Sequence, residues 1–442
     1  MERVTHTVRP RLSARFRATF ADPVLRSLTV ATLISTVGRG ISLTLVVLYL
    51  SLVVRLPAEQ VALVFAIGAG VGIGASYFGG HLADSLSARW MLVGGVVLSG
   101  LALASVALVT ELWAAIVVES LISATLGANG SVRSAIIARA FTAESRVTSR
   151  AVLRTVTNVG ITLGTGVGAI ALALGTPEAY RTILVLGGLS YAASALLLLR
   201  LPDRVDAPRG AARAAGAGAA DADAADADAG SDAAAAPAAG PARGPWRDPR
   251  YLLFSALAAV FAIQFVVLSV GIPLWVAHDT VAPEYLVSIM IVVNTVLVIA
   301  LQVPLSRGTH ELRRAGTVAA VAGVLMALAC VLYGASGGTS LVATVVLLVA
   351  ASVLHALSEV LSQAGAWGLS FELADPRRAG AYQGMFSMTF AIASMVGPFL
   401  ITWTAISMGF AGWLILAAMF LAAALGVTVI ARRAARDVAV SA

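Results

Sequence analysis

The chain has 442 residues, 59% hydrophobic and only 12% charged, with a mean hydropathy of +0.90. Soluble domains carry roughly 25% charged residues, so a soluble fold is excluded and the bilayer is the implied solvent. The formal charge of +7 comes from 30 bases against 23 acids. Every base is arginine, so the lysine of a nucleotide-binding P-loop is missing and ATP hydrolysis by this chain is excluded.

The N-terminal stretch with Arg9, Arg11, Arg15 and Arg17 has the charge of a signal n-region. The apolar run after it is too long for a signal core, so the first helix is expected to be retained. Apolar runs able to cross ~30 Å of hydrocarbon then follow. They are predicted at Ser27–Val54, Gln60–Ala83, Trp90–Val109, Leu112–Ala135, Leu153–Leu174 and Ala179–Leu199. From Asp203 to Pro245 the periodicity gives way to Ala, Asp, Gly and Pro, a composition that buries no core and reads as a disordered linker. Six further spans are predicted at Tyr251–Ala277, Tyr285–Leu305, Gly316–Ser336, Ser340–Leu369, Ala381–Ser407 and Phe410–Ile430.

The expected organisation is thus a cytoplasmic segment 1–26, a six-helix half 27–202, a linker 203–249, a second six-helix half 250–431 and a tail 432–442. Arg39 lies inside a span and Arg55 and Arg181 on the far side, while the other arginines fall toward the side of both termini. By the positive-inside rule both termini are cytoplasmic, and the arginines report topology in a cell membrane, with no role in nucleic-acid binding. Two halves with an even number of crossings insert in the same orientation. The expected fold is all-α, two six-helix bundles related by a pseudo-two-fold axis along the membrane normal, with a cavity between them. The lone Cys330 allows no internal disulfide, and neither a cofactor nor a metal site is expected.

After the second span comes Gly80-His-Leu-Ala-Asp84-Ser-Leu-Ser87-Ala-Arg89. This segment resembles the signature loop of the major facilitator superfamily, matching at Gly80, Leu82, Ala83, Asp84 and Arg89 and departing at Ser85, Ser87 and Ala88. The resemblance implies that Gly80, Asp84 and Arg89 form a gating loop, the alternative being a plain topology loop. Gly160, Gly164 and Gly168 on the fifth span are similar to the family's antiporter motif, with Thr165 where proline is usual. Glycines four apart equally serve close helix packing. Gly68, Gly70, Gly72 and Gly74 lie inside a helix with no preceding strand and read as packing, without a dinucleotide fingerprint.

Ionisable groups deep in a bilayer are costly and mark function. Here they are Arg39, Glu119, His355 and Glu359, joined by the polar Gln264. They fall on the first, fourth, tenth and seventh helices, which the resemblance implies line the central cavity. Arg39 lies roughly 18 Å from one edge of its span and Glu119 roughly 10 Å from the opposite edge of its own, so their depths nearly coincide. They are expected to pair in one state and part when the carboxylate is protonated or meets a cationic substrate, a static salt bridge being the rival reading. His355 and Glu359, four apart, share a helix face suited to a proton relay or a cation. Asn294, Gln302 and Asn158 are expected in interhelical hydrogen bonds, and Trp275, Trp367, Trp403 and Trp413 in interfacial belts, the cavity mouth being the alternative for Trp275. No HExxH or GxSxG element points to an enzyme.

The expected function is a monomeric secondary transporter of small molecules working with protons. Resemblance to actinobacterial drug and metabolite exporters implies export. An importer or uniporter of a small metabolite, and a non-transporting sensor or scaffold, are the alternatives.

Overall fold

Several helices start where the sequence supplies a side-chain cap. Asp22 accepts from the amides of Val24 and Leu25 ahead of Pro23, and Asp248 from those of Arg250 and Tyr251 ahead of Pro249. Thr176 and Ser87 cap two more in the same way, and Gly175, at φ 66°, ends the fifth helix in the left-handed conformation glycine tolerates. The computed structural model of the chain describes residues 22–206, 244–283 and 285–441. The N-terminal arginines and the Ala/Asp-rich body of the predicted linker lie outside the described residues.

Twelve helices among the described residues are long and apolar enough to cross a membrane. They are α1 Pro23–Val53, α2 Leu63–Leu82, α3 Ala88–Leu108, α4 Leu112–Ala140, α5 Ala143–Leu174, α6 Pro177–Leu198, α7 Pro249–Asp279, α8 Tyr285–Leu305, α9 Leu312–Ala335, α10 Leu341–Glu372, α11 Pro376–Ile406 and α12 Phe410–Ala439. The fold is all-α. In the first half α1 packs on α5, α2 on α4, and α3 on both α4 and α6. The second half repeats this as α7 on α11, α8 on α10, and α9 on both α10 and α12. The equivalent helices α1 and α7 even share a π-helical turn, at Tyr49–Val53 and Val267–Gly271.

Several helices overrun their predicted ends, three of them at places that matter for the site or the tail. α4 continues to Ala140, α5 already begins at Ala143, and α12 runs on to Ala439 through the residues read as a tail. Hydropathy marks the edge of the hydrocarbon, whereas a helix ends only where its backbone is capped or broken, so polar turns extend beyond the apolar run. The aromatic belt also needs correction. Trp403 is exposed, but Trp275, Trp367 and Trp413 are buried. Trp275 and Trp413 meet edge to face at 5.6 Å, and the Trp275 indole donates to Ser336 Oγ at 3.1 Å. They belong to the core of the second half.

Candidate transport cavity and its gate

The halves meet at the end that carries both termini. Here α2 crosses α11 so closely that a Cβ on Gly80 would lie 2.7 Å from the Gly384 Cα, and one on Gly380 would lie 2.6 Å from Asp84 Oδ1. Only glycine permits that approach. It brings the Asp84 carboxylate over the first turn of α11, where it accepts from the amides of Gly380 and Ala381, both at 2.8 Å. A negative charge on the free amides of a helix N-terminus is favourable. Arg139 of α4 holds the same carboxylate at 2.6 Å. Arg89 takes no part across the halves: its guanidinium donates to the Leu201 carbonyl at 2.8 Å and to Asp203 at 3.2 Å, tying α3 to the end of α6.

A second tier of links rises along α5. Arg146 faces Glu372 at 3.8 Å, Arg150 donates to Gln383 Oε1 at 3.0 Å, and Arg154 pairs with Glu359 at 3.3 Å. The Arg150 guanidinium also lies over the rings of Trp367, Phe371 and Phe386, with 5.4–5.5 Å to each centroid. Glu359, 3% exposed in its side chain, additionally accepts from Asn294 Nδ2 at 3.1 Å and Gln363 Nε2 at 3.5 Å. Asn294 thus makes the expected interhelical hydrogen bond. Gln302 does not, for both its amide atoms are buried without a partner.

Beyond this tier lies a cavity of about 480 Å³ between the halves. The walls carry four guanidiniums, Arg39, Arg133, Arg150 and Arg154, and no carboxylate side chain among the described residues. Of the five residues predicted to serve the cavity, Arg39 alone lines it. Glu119 is buried just behind the wall and accepts from Ser123, a lining residue, at 3.1 Å. In this conformation no ion pair joins Arg39 to Glu119 among the described residues. Glu359 does not line the cavity and reaches it through Arg154 and Gln363, which do.

His355 and Gln264 face into the second half. His355 Nδ1 lies 3.4 Å from the Tyr333 hydroxyl, its Nε2 is buried without a partner, and no hydrogen bond links it to Glu359 among the described residues. Gln264 donates to Ser362 at 3.0 Å inside a separate small pocket lined by Phe261, Phe265 and Phe390. Spacing i, i+4 placed His355 and Glu359 on one face, yet that face is wide enough for one residue to meet α9 and the other to meet α5.

The glycines of α5 meet α1. A Cβ on Gly164 would lie 2.9 Å from the Gly40 Cα and one on Gly168 2.9 Å from Thr44 Cβ, while Gly160 abuts Thr36. On α2, Gly68 and Gly72 lie against Glu119 and Ser123, whereas Gly70 and Gly74 touch nothing. No group of three His, Cys, Asp or Glu side chains is arranged to hold a metal among the described residues.

Arg133 and Arg154 were missed in the sequence because the fourth span was predicted to end at Ala135 and the fifth to start at Leu153, leaving both arginines at the membrane edge. Arg133 lies about 10 Å inside the end of α4 and Arg154 about 16 Å inside the start of α5. The missed signal was the absence of a helix breaker between Ala135 and Ala140.

Residues 28–398 match the sequence profile of the Major Facilitator Superfamily. The chain belongs to that superfamily. It is therefore a secondary transporter of small molecules, not an enzyme. Among curated proteins none matches the chain. Among solved structures the chain is similar to the human organic anion transporter MFSD10 (TETRAN), at 15% identity and a TM-score of 0.66 over 92% of this chain and 99% of that one. It is also similar to the superfamily transporter FucP in its outward conformation, at 13% identity and TM-score 0.64 over 94% and 99%. A third is a bacterial homologue of the iron transporter ferroportin in an outward-facing state, at 14% identity and TM-score 0.66 over 93% and 99%. These identities establish a common fold and leave substrate and direction to the site itself.

Proposed function

We propose that the chain is a proton-coupled exporter of small molecules in the cytoplasmic membrane, working by alternating access. The observation that carries this reading is the Arg154–Glu359 pair, because it joins the halves and one partner lines the cavity. A proton on Glu359 removes the ionic attraction, frees Arg154 and weakens the second tier of the gate. Glu119, about 10 Å inside the far end of α4, is the first buried carboxylate a proton meets on its way from that side. The glycine ladder of α5, similar to the antiporter motif, supports exchange. The arginine bias supports cytoplasmic termini, which makes the closed end cytoplasmic and this conformation outward-facing. One chain supplies both cavity walls and both sides of the gate, which supports a monomeric unit.

Drug and dye tolerance in an efflux-deficient bacterium tests the reading, with empty vector, wild type, Glu119→Gln and Glu359→Gln at matched membrane expression. Wild type is expected to raise tolerance to part of the panel in a manner abolished by collapsing the proton gradient, with both variants inactive. Increased sensitivity or accumulation would instead assign uptake, and full activity in both variants would remove the carboxylates from coupling.

A further inference from the structure

We infer that the molecule this transporter carries is an organic anion, held through a carboxylate, phosphate or sulfonate by Arg133 and Arg39. The inference rests on the transporter reading and adds the charge of the substrate. Arginine inside a membrane span is expensive unless it is compensated or used. Of the four guanidiniums lining the cavity, two are already employed: Arg150 on Gln383 and three rings, Arg154 on Glu359. Arg133 of α4 and Arg39 of α1 make no ion pair and no side-chain hydrogen bond among the described residues, and the Nε of Arg133 is buried without a partner.

The nearby carboxylates do not neutralise them. Glu119 sits about 21 Å along α4 from Arg133 and is turned toward Gly68 and Ser123. Glu359 lies behind Arg154, and Asp84 is shared by Arg139 and the first amides of α11. Two uncompensated guanidiniums on different helices therefore face one space that offers no acid. A cation is repelled there, and a neutral molecule leaves both charges unpaired; an anion satisfies them, and arginine presents its donors in a fork matched to carboxylate and phosphate.

The rest of the wall describes the body of the ligand. Tyr191, Trp367 and Phe390 supply aromatic surface, and Asn129 and Ser394 supply neutral polar contacts. The volume of about 480 Å³ falls in the range of roughly 300–1,000 Å³ typical of pockets for drug-sized molecules. An anion that extends to Arg154 competes with Glu359 for that guanidinium, so substrate and proton act on one side chain.

Two dyes with the same xanthene ring system and opposite charge separate the possibilities. Fluorescence anisotropy would follow 5-carboxyfluorescein and rhodamine 123 on the full chain in nanodiscs at pH 8. The anionic dye is expected to bind, to weaken as salt is raised, and to bind at least about tenfold more tightly than the cationic one. Arg133→Gln and Arg39→Gln should each weaken it by about tenfold, and Arg133→Lys should retain part of the affinity. Size-exclusion profiles identify variants that fail to fold, and the two substitutions on separate helices guard against the loss of either. Rhodamine 123 binding as tightly as carboxyfluorescein, an unchanged affinity in both folded glutamine variants, or binding of neither dye would overturn the inference. None of these results touches the transporter reading, which the proton-dependent tolerance experiment decides without relying on either dye.

Discussion

The first half gives the cavity Arg39, Arg133, Arg150 and Arg154, whereas the second gives it Gln363, Trp367, Ser387, Phe390 and Ser394. Both walls come from the same arrangement of helices, so the difference is chemical, not architectural. The asymmetry continues into the gate. In the tier along α5 the guanidiniums belong to the first half and the acceptors, Glu372, Gln383 and Glu359, to the second. At the outermost contact the sense is reversed, where Asp84 of the first half accepts from the amides of α11. The first half thus carries the cations and the second the acceptors that meet them, and closing the terminal end joins the two.

The largest expected effect comes from breaking the contact that lets the halves meet. Gly380→Leu puts a branched side chain against the backbone of α2 and the Asp84 carboxylate, neither of which can move aside. Transport should fall by about 100-fold or more, equivalent to roughly 3 kcal/mol against the closed gate, in a proteoliposome exchange assay with the protein still folded. Retained transport would show that closure does not need the α2–α11 approach.

A smaller effect sharpens the donor–acceptor asymmetry. Glu359 is 3% exposed and Arg154 32% exposed, so removing the guanidinium strands a buried carboxylate, while removing the carboxylate leaves a cation that can reach solvent. Arg154→Gln should therefore destabilise the closed conformation more than Glu359→Gln, by about 1–3 kcal/mol each in thermal unfolding, softened by Asn294 and Gln363. The double variant should lose less than the sum of the two. Strict additivity would mean that the pair contributes nothing as a pair.

The fold was legible because the bilayer demands long apolar helices, and twelve such runs can be counted directly from the residues. The gating loop was legible as far as Gly80 and Asp84, whose neighbours in the chain carry the family resemblance. Its long-range partners were not, because Gly380, Gly384 and Arg139 are joined to it only by the crossing of α2 with α11 and α4. The cavity was harder to read. Hydropathy located Arg39 and Glu119 deep in their spans but left Arg133 and Arg154 at the very ends of theirs, since an apolar run stops at the polar turns that the helix itself continues through. His355 was legible as buried, but which way it faces depends on how α10 is rotated against α9, and no linear pattern fixes that rotation.

The smallest expected effect lies in the part of the loop motif that stays within one half. Arg89 contacts an Asp203 side chain that is 93% exposed, and such pairs contribute about 0–1 kcal/mol. Arg89→Gln should leave the conformational equilibrium of the gate nearly unchanged and lower thermal stability only slightly, whereas a shift as large as that of Glu359→Gln would move Arg89 into the gate itself.

The central claim is that the Arg154–Glu359 pair holds the terminal end closed and yields when Glu359 loses its charge. Spin labels at Ser85→Cys and Arg313→Cys, in a Cys330→Ala background, place one probe on the terminal face of each half, at exposed positions. Double electron–electron resonance in nanodiscs would follow their separation as pH falls. The account predicts that the wild type gains a longer-distance population at low pH and that Glu359→Gln shows this population already at neutral pH. A single short distance in both proteins at every pH would contradict it.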